Sequence, residues 1–220
     1  MKKIVAILLF VSAVVSAQNK DFKYSLSGIK KVVLSSDTTI KLEIGSTNEF
    51  IITETKKGKN RDNVHWSIKN DRDKREKLKK DKRAGLTAVY PGGKDDTNGF
   101  GFSVSKEGGI LYVSDLKSHF QRRGLSIKLP KNMNVSVDSG NLGSVVVEGF
   151  TSEVEVETNV GRITMKDVTG PITAHTSTGA INIEFSKVNQ SSPISISSSV
   201  SEIDVTIPAS TKADLELKTN

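Results

Sequence analysis

The chain contains no cysteine, and only 5% of its 220 residues are aromatic. Without cysteine, neither a disulfide nor a thiolate metal site can stabilise the fold, and acylation of a lipoprotein cysteine is excluded. No apolar run after residue 17 is long enough to form a transmembrane helix. Stability must therefore come from burying Val, Ile and Leu side chains.

The first 17 residues have the composition of a secretory signal peptide. Lys2 and Lys3 precede an apolar run over residues 4–15, and a small-residue cleavage site ends at Ala17. The apolar run is too short to span a bilayer stably, and polar residues follow at once, which favours cleavage over an uncleaved anchor. We expect export to the periplasm, the cell surface or the medium after cleavage near Ala17.

The excess positive charge lies in one segment. Residues 56–83 contain 13 Lys or Arg against five Asp or Glu, while the whole chain has a net charge of +7. The segment has no face to bury, which predicts a solvated insertion, either without a ligand or in contact with an anionic glycan or envelope surface. With one Trp and no interleaved aromatics, it does not predict nucleic-acid binding. The candidate residues for an anionic partner are Lys74, Arg75, Lys77, Lys79, Lys80, Lys82 and Arg83.

The last third of the chain repeats itself. Two short alternating apolar runs recur with a small turn residue between them, and the copies start 19, 18 and 22 residues apart. The copies are Val135-x-Val137…Gly143-x-Val145-x-Val147, Val154-x-Val156…Gly161-x-Ile163-x-Met165, Ile172-x-Ala174…Gly179-x-Ile181-x-Ile183 and Ile194-x-Ile196…Ser201-x-Ile203-x-Val205. A further start stands at Leu215-x-Leu217, and the pattern stops there in mid-coil. Either the natural chain continues, which we favour, or a partner such as a second copy covers the strand edge.

This pattern predicts an all-β fold, a single-stranded parallel β-solenoid with two short strands per coil and a charged inserted loop. An antiparallel β-sandwich is the alternative, but it does not require turn residues to recur in register. The glycines at the turns are expected to adopt positive φ. Along the chain we expect a signal peptide (1–17), a first pair of β coils (18–55), a basic and polar insertion (56–99) and the solenoid repeats (100–220), with one continuous domain over 22–220 as the alternative.

A family resemblance rests on the stretch Leu129-Pro130-Lys131-Asn132-Met133-Asn134-Val135-x-Val137, followed by the Gly-punctuated copies. From Ile29 onward, including the Gly92-Gly93 loop, the chain resembles the bacterial "putative adhesin" domains of unknown function, of the head-GIN type found in secreted Bacteroidetes proteins. The resemblance implies a right-handed β-solenoid exported to the cell envelope. It implies no catalytic residues.

Motifs that carry chemistry are not found. His65, His119 and His175 are isolated in the sequence, and no metalloprotease, nucleophile-elbow or P-loop string occurs. We therefore expect no metal, cofactor or catalytic residue. The loop 95–99 is acidic, but Lys94 and Ser105 stand where an EF-hand requires acids, which leaves at most a weak cation site.

The outer acids suggest one enzymatic alternative. Parallel β-helix enzymes that cleave acidic polysaccharides align carboxylates along their coils, and here Glu153, Glu155 and Glu157 share one side of a predicted strand. A solvated outer face is the favoured interpretation of these acids. We therefore expect a non-enzymatic structural or adhesive envelope module, with a carbohydrate-active β-helix enzyme as the alternative. An accessory partner of an envelope-stress system is a further possibility that the sequence does not test.

Overall fold

The structure, a computed structural model, describes residues 21–54, 89–90, 93–97, 99–117, 124–189 and 191–218. These residues form strands, turns and no helix, so the prediction of an all-β protein is confirmed. It follows that no helix in the described ranges could cross a membrane. The strands, numbered β1 to β17 in chain order, form two large mixed sheets and one small hairpin.

The order of the strands across each large sheet differs from their order in the chain. From one edge to the other, the eight-stranded sheet consists of β1 (Asp21–Ser25), β4 (Glu49–Glu54), β9 (Leu125–Leu129), β3 (Ile40–Ile44), β11 (Val145–Glu148), β13 (Ile163–Val168), β15 (Ile181–Phe185) and β17 (Ile203–Thr206). The seven-stranded sheet consists of β16 (Ser195–Ser198), β14 (Ile172–Thr176), β12 (Val154–Thr158), β10 (Asn134–Asp138), β2 (Lys31–Ser35), β8 (Ile110–Asp115) and β7 (Phe102–Glu107). The hairpin consists of β5 (Val89–Tyr90) and β6 (Gly93–Lys94).

The sequence copies stack on one another in parallel. Each copy contributes one strand to each sheet, and we call such a consecutive pair, from β10–β11 to β16–β17, a rung. Val154 lies opposite Ile172 in the seven-stranded sheet, and Ile163 lies opposite Ile181 in the eight-stranded sheet. All pairings among β10 to β17 are parallel. The predicted register of the copies is therefore confirmed, and these strands do not form the hairpin pairs of an antiparallel sandwich.

Period-2 alternation produces the core. Because successive side chains on a strand point to opposite faces, Val154 and Val156 are buried while Glu155 between them is not. Each inward position repeats in the next rung, so Val145, Ile163 and Ile181 lie in one column and each is 0% exposed. The inward side chains of both sheets belong to one hydrophobic core. Burying each such side chain contributes about 1.5–3 kcal/mol.

The order of the N-terminal strands differs from the prediction of a first pair of coils. β2 and β3 form a single rung, and that rung is inserted between β8–β9 and β10–β11. β4 turns back and pairs antiparallel with β9 and with β1. β7 likewise pairs antiparallel with β8. Antiparallel strands therefore close this end of both sheets, which we call the capped end (the outer edges of β1 and β7).

The corner glycines serve a different purpose from the one predicted. Gly143, Gly161 and Gly179 are not among the residues with positive φ. A Cβ on Gly161 would instead overlap the carbonyl oxygen of Gly143 in the neighbouring rung, and one on Gly179 would overlap the carbonyl oxygen of Gly161. The prediction of positive φ is therefore wrong. These positions require glycine because the backbones of adjacent rungs come too close for any side chain.

Inward hydroxyl groups, three of them buried and Ser198 half-buried, complete the same corner. Each inward Ser or Thr at the end of a strand donates a hydrogen bond to a corner carbonyl of the preceding rung. The bonds are Ser139 Oγ to Thr38 O (2.9 Å), Thr158 Oγ1 to Gly143 O (2.7 Å), Thr176 Oγ1 to Gly161 O (3.2 Å) and Ser198 Oγ to Gly179 O (3.1 Å). They satisfy corner acceptors that the chain could not otherwise bury without cost.

The predicted start at Leu215-x-Leu217 is not a strand. Residues 212–218 have no assigned secondary structure. Leu215 is 72% exposed and Leu217 is 90% exposed, although both occupy positions that are buried in the first three copies.

Candidate functional site

The seven basic candidate residues, from Lys74 to Arg83, lie outside the described residues. So do His65 and His119. The described strands that flank the basic segment are β4, which ends at Glu54, and β5, which begins at Val89. The candidate anionic-partner site therefore remains a prediction from sequence.

The first of the outer carboxylates is neutralised by a lysine two strands away. Lys31 on β2 reaches past β10 and places its Nζ 2.9 Å from Glu155 Oε2 on β12. Hydrogen bonds from Lys31 and then Ser136 hold the pKa of Glu155 below its usual 4.5. A carboxylate held ionised in this way is a poor proton donor at neutral pH. Glu155 therefore belongs to a solvated ion pair on the outer face.

A second ion-pair cluster lies on the outer face of the eight-stranded sheet. Lys41 Nζ is 2.8 Å from Glu43 Oε1 and 3.0 Å from Glu148 Oε2, and Ser126 Oγ donates to Glu43 Oε2 at 2.6 Å. The bonds to Glu43 and Glu148 raise the pKa of Lys41, and the bonds from Lys41 and Ser126 lower the pKa of Glu43. These charged side chains are between 31% and 43% exposed, so each pair contributes at most about 1 kcal/mol.

The other outer acids, Asp138, Asp167, Glu184 and Asp204, are divided between the two sheets, and Asp138 lies opposite Glu157. Asp138 lies on the seven-stranded sheet and accepts the N–H of Gly140 at 2.8 Å, whereas Glu184 and Asp204 lie on the eight-stranded sheet. Asp167 sits at a β-bulge in β13, with φ of 54°. Within the described ranges, no three His, Asp or Glu side chains are arranged to hold a metal ion.

His175 has a neighbour that the sequence analysis does not predict. Its Nδ1 lies 2.8 Å from Ser197 Oγ on the next rung, and Glu157 stands opposite it on the previous rung. The repeat alignment contained the signal, because His175 and Ser197 each stand three residues after the start of their copies. The pair lies on an outer sheet face, and neither residue lines either of the two depressions described below.

The acidic loop before β7 is held by hydrogen bonds of its own. Asp95 Oδ1 accepts from Thr97 N at 2.8 Å and Thr97 Oγ1 at 2.7 Å, and its Oδ2 accepts from Gly99 N at 2.8 Å. Burial acts to raise the pKa of Asp95, but bonds from Thr97 and from two backbone N–H groups outweigh it and lower that pKa below 3.8. Thr97, which is fully buried, accepts the N–H of Phe102 at 3.1 Å. The Asp95 carboxylate oxygens, which a bound cation would need, are thus engaged in hydrogen bonds that hold the loop before β7.

Replacing Asp95 with asparagine should loosen this loop. The amide nitrogen cannot accept a hydrogen bond, so we expect a loss of about 1–2 kcal/mol in the free energy of unfolding at neutral pH. Because the folded pKa is lowered, the stabilisation is present above about pH 4 and is lost as the pH falls through the folded pKa. Urea unfolding of the two proteins at pH 7 and pH 3 measures both effects. The exposed Asp204→Asn is the control, and an equal loss in both variants would contradict the assignment.

Two shallow depressions lie at surface loops of the described residues. One, of about 370 Å³, lies between the loops after β15 and β17 and is lined by Lys187, Lys212, three hydroxyl residues, Val188 and Pro208. The other, of about 350 Å³, lies between the β3–β4 and β9–β10 loops, with Lys131 as its charged residue. Both are open, and neither gathers groups for acid–base or nucleophilic chemistry.

Comparisons with known proteins give a distant structural similarity. No protein-family model matches the chain, and no curated protein sequence matches it. A solved structure described as a "putative cell adhesion protein" from Clostridium sporogenes is similar over 86% of this chain and 95% of that chain, with 9% sequence identity and a TM-score of 0.42.

Proposed function

We propose that this protein is an exported, non-enzymatic β-solenoid that serves as a structural or adhesive module of the cell envelope. The observation that carries the proposal is the repetition of outer positions in register: Ser136, Glu155 and Thr173 follow one another across three rungs. Such stacking produces a long surface on which many weak contacts add, as in other repeat proteins. The signal-peptide pattern and the head-GIN resemblance support export to the envelope.

The proposed ligand is an acidic polysaccharide or another anionic surface of the envelope. The support is the concentration of positive charge in residues 56–83, while the rest of the chain is close to neutral. Lysine and arginine side chains attract polyanions, and salt screens this attraction. The candidate residues are those from Lys74 to Arg83 identified above.

Binding of a defined polyanion tests this function. We expect the purified protein to bind heparin and polygalacturonate but not neutral dextran, with affinity falling about tenfold or more between 50 and 200 mM salt. Replacing the seven candidate residues with glutamine should abolish binding. A matched variant neutralises seven other lysines and should retain most of it. Those lysines are Lys23, Lys30, Lys94, Lys106, Lys131, Lys166 and Lys187.

Two outcomes would contradict the proposal in different ways. Equal losses in the two variants would show that net charge, and not the basic segment, attracts the polyanion. Release of reducing ends from either polysaccharide would show that the protein is an enzyme, because a binding module leaves glycosidic bonds intact.

A further inference from the structure

The two ends of the stacked rungs differ. At the end opposite the capped end lie β16 and β17, and no described strand pairs with the outer edge of either. We call these two edges, with the inward side chains of their rung and residues 207–218, the open end. Unpaired N–H and C=O groups along a strand edge are a template for another strand.

Exposed apolar side chains are concentrated at the open end. Ile203 is 42% exposed, whereas Ile181 and Ile163 in the same column are 0% exposed, because no described strand lies over Ile203. Six of the ten large hydrophobic side chains that are exposed in the described ranges belong to this end. They are Val200, Ile203, Val205, Ile207, Leu215 and Leu217. Clustered apolar exposure of this kind marks an interaction surface.

The capped end is protected from the same kind of pairing. Asp21 and Lys23 are exposed on β1, and Lys106 and Glu107 are exposed on β7. Charged side chains on an edge strand oppose the addition of another strand. A head-to-tail contact would therefore place apolar residues of one copy against charges of the next, and indefinite stacking of copies is disfavoured.

We infer that the open end is the interface of a two-fold dimer, in which the open ends of two copies meet. A two-fold contact uses the same surface on both partners, so apolar side chains meet apolar side chains without facing the charged cap. The edges of β16 and β17 supply main-chain donors and acceptors to the partner, as in strand addition. This inference is independent of the basic segment and of any polysaccharide.

The size of the open end determines the expected affinity. Two strands of four residues on sheets about 10 Å apart present an end face on the order of 300 Å² per copy. The tail 207–218, with Leu215 and Leu217 exposed, adds a comparable area. The sum remains below the roughly 800 Å² per partner of a standard stable interface. We therefore expect a dimer that dissociates in the micromolar range.

Light scattering after size exclusion tests the dimer at loaded concentrations from about 2 to about 300 μM. We expect the mass to rise from one copy to two, and no further. In Leu215→Asp/Leu217→Asp, which alters only exposed side chains, dimerisation should weaken at least tenfold. Val205→Asp, on the last rung, should abolish it. The control is Leu142→Asp/Val160→Asp, which changes two exposed aliphatic residues at corners away from the open end and should dimerise like the wild type.

Amide hydrogen exchange of the wild-type protein tests the dimer interface even if Val205→Asp fails to fold. In the wild type, the N–H groups of β16 and β17 should be better protected at high than at low concentration. A protein that stays monomeric at every concentration would overturn the inference. The same holds if the amides of residues 213–218 are protected from exchange in the monomer, because the tail then covers β16 and β17 of its own chain. Masses that grow beyond two copies would overturn the two-fold arrangement. Dimers that survive in both open-end variants would place the interface elsewhere.

Discussion

Replacing Gly161 with alanine is expected to lower the free energy of unfolding by about 3 kcal/mol or more, because the new methyl group has no space. Its Cβ would lie 2.6 Å from the carbonyl carbon of Gly143 and 2.8 Å from Thr158 Oγ1, closer than the 3.0 Å that real Cβ atoms respect. The obstacle is backbone, so no rotamer change relieves it. Moving the corner would also break the bond from Thr158 to Gly143 O, at 2.7 Å.

Gly45→Ala is the matched control, because Gly45 also lies at a turn and lacks positive φ. A Cβ there meets its nearest neighbour, Lys128 Cβ, at 3.4 Å, which is an ordinary contact. We expect a change within about 1 kcal/mol for Gly45→Ala, and a fall in Tm of at least about 6 °C for Gly161→Ala. If the two variants unfold alike, the corner can expand and glycine is not required there by contact.

The recurrence of the copies at nearly constant spacing, together with their alternation, is sufficient to predict how they pair. Val154 and Ile172 occupy the same place in copies of nearly constant length, and side chains at period 2 can bury only one face. A slip by one residue would turn Glu155 into the core and Val154 out of it. The free-energy penalty for burying an unpaired carboxylate therefore fixes the register. The alternation of Val and Glu in the sequence shows which register avoids that penalty.

The position of the β2–β3 rung could not be predicted in the same way. Val32 and Leu34 alternate like the inward residues of any other rung, so they fit next to β8 as well as β10. Alternation indicates which face of a strand is buried, but it does not indicate which strand lies beside it. Antiparallel β4 shows the same ambiguity, because Phe50 and Ile52 are as buried as their counterparts in parallel strands.

The reason for the corner glycines was also beyond a local reading. Positive φ is a property of one residue, whereas the contact between Gly161 and Gly143 joins two residues 18 apart. The inward threonines gave a usable signal, since Thr158 and Thr176 each stand three residues before a corner glycine. A hydroxyl recurring at an inward position indicates a buried acceptor that recurs with it.

The candidate sites differ in how much of each can be predicted from the sequence. The basic residues from Lys74 to Arg83 are recognisable by charge alone, and their role stays a prediction. The contacts of Lys31 with Glu155 and of His175 with Ser197 depend on register between rungs. The first begins on β2, which is inserted out of chain order beside β10, so only the structure reveals it. The second follows from the repeat alignment once parallel stacking is known.

A comparison of Ile181→Ala with Ile203→Ala separates interior rungs from the open end. Both residues lie in one column and both lose the same atoms, but Ile181 is 0% exposed and Ile203 is 42% exposed. We expect Ile181→Ala to cost about 3–4 kcal/mol, because the cavity is enclosed by rungs on both sides. Ile203→Ala should cost about 1 kcal/mol, because solvent already reaches that side chain and fills the space.

Chemical denaturation at low micromolar concentration measures both losses on the monomer. Met165→Ala provides a second enclosed position in the neighbouring column and should behave like Ile181→Ala. Equal losses at Ile181 and Ile203 would mean that something covers the last rung even in the monomer, such as the chain's own residues 212–218. In that case the open end would not be available to a second copy, and the stacking interpretation of the core would stand without it.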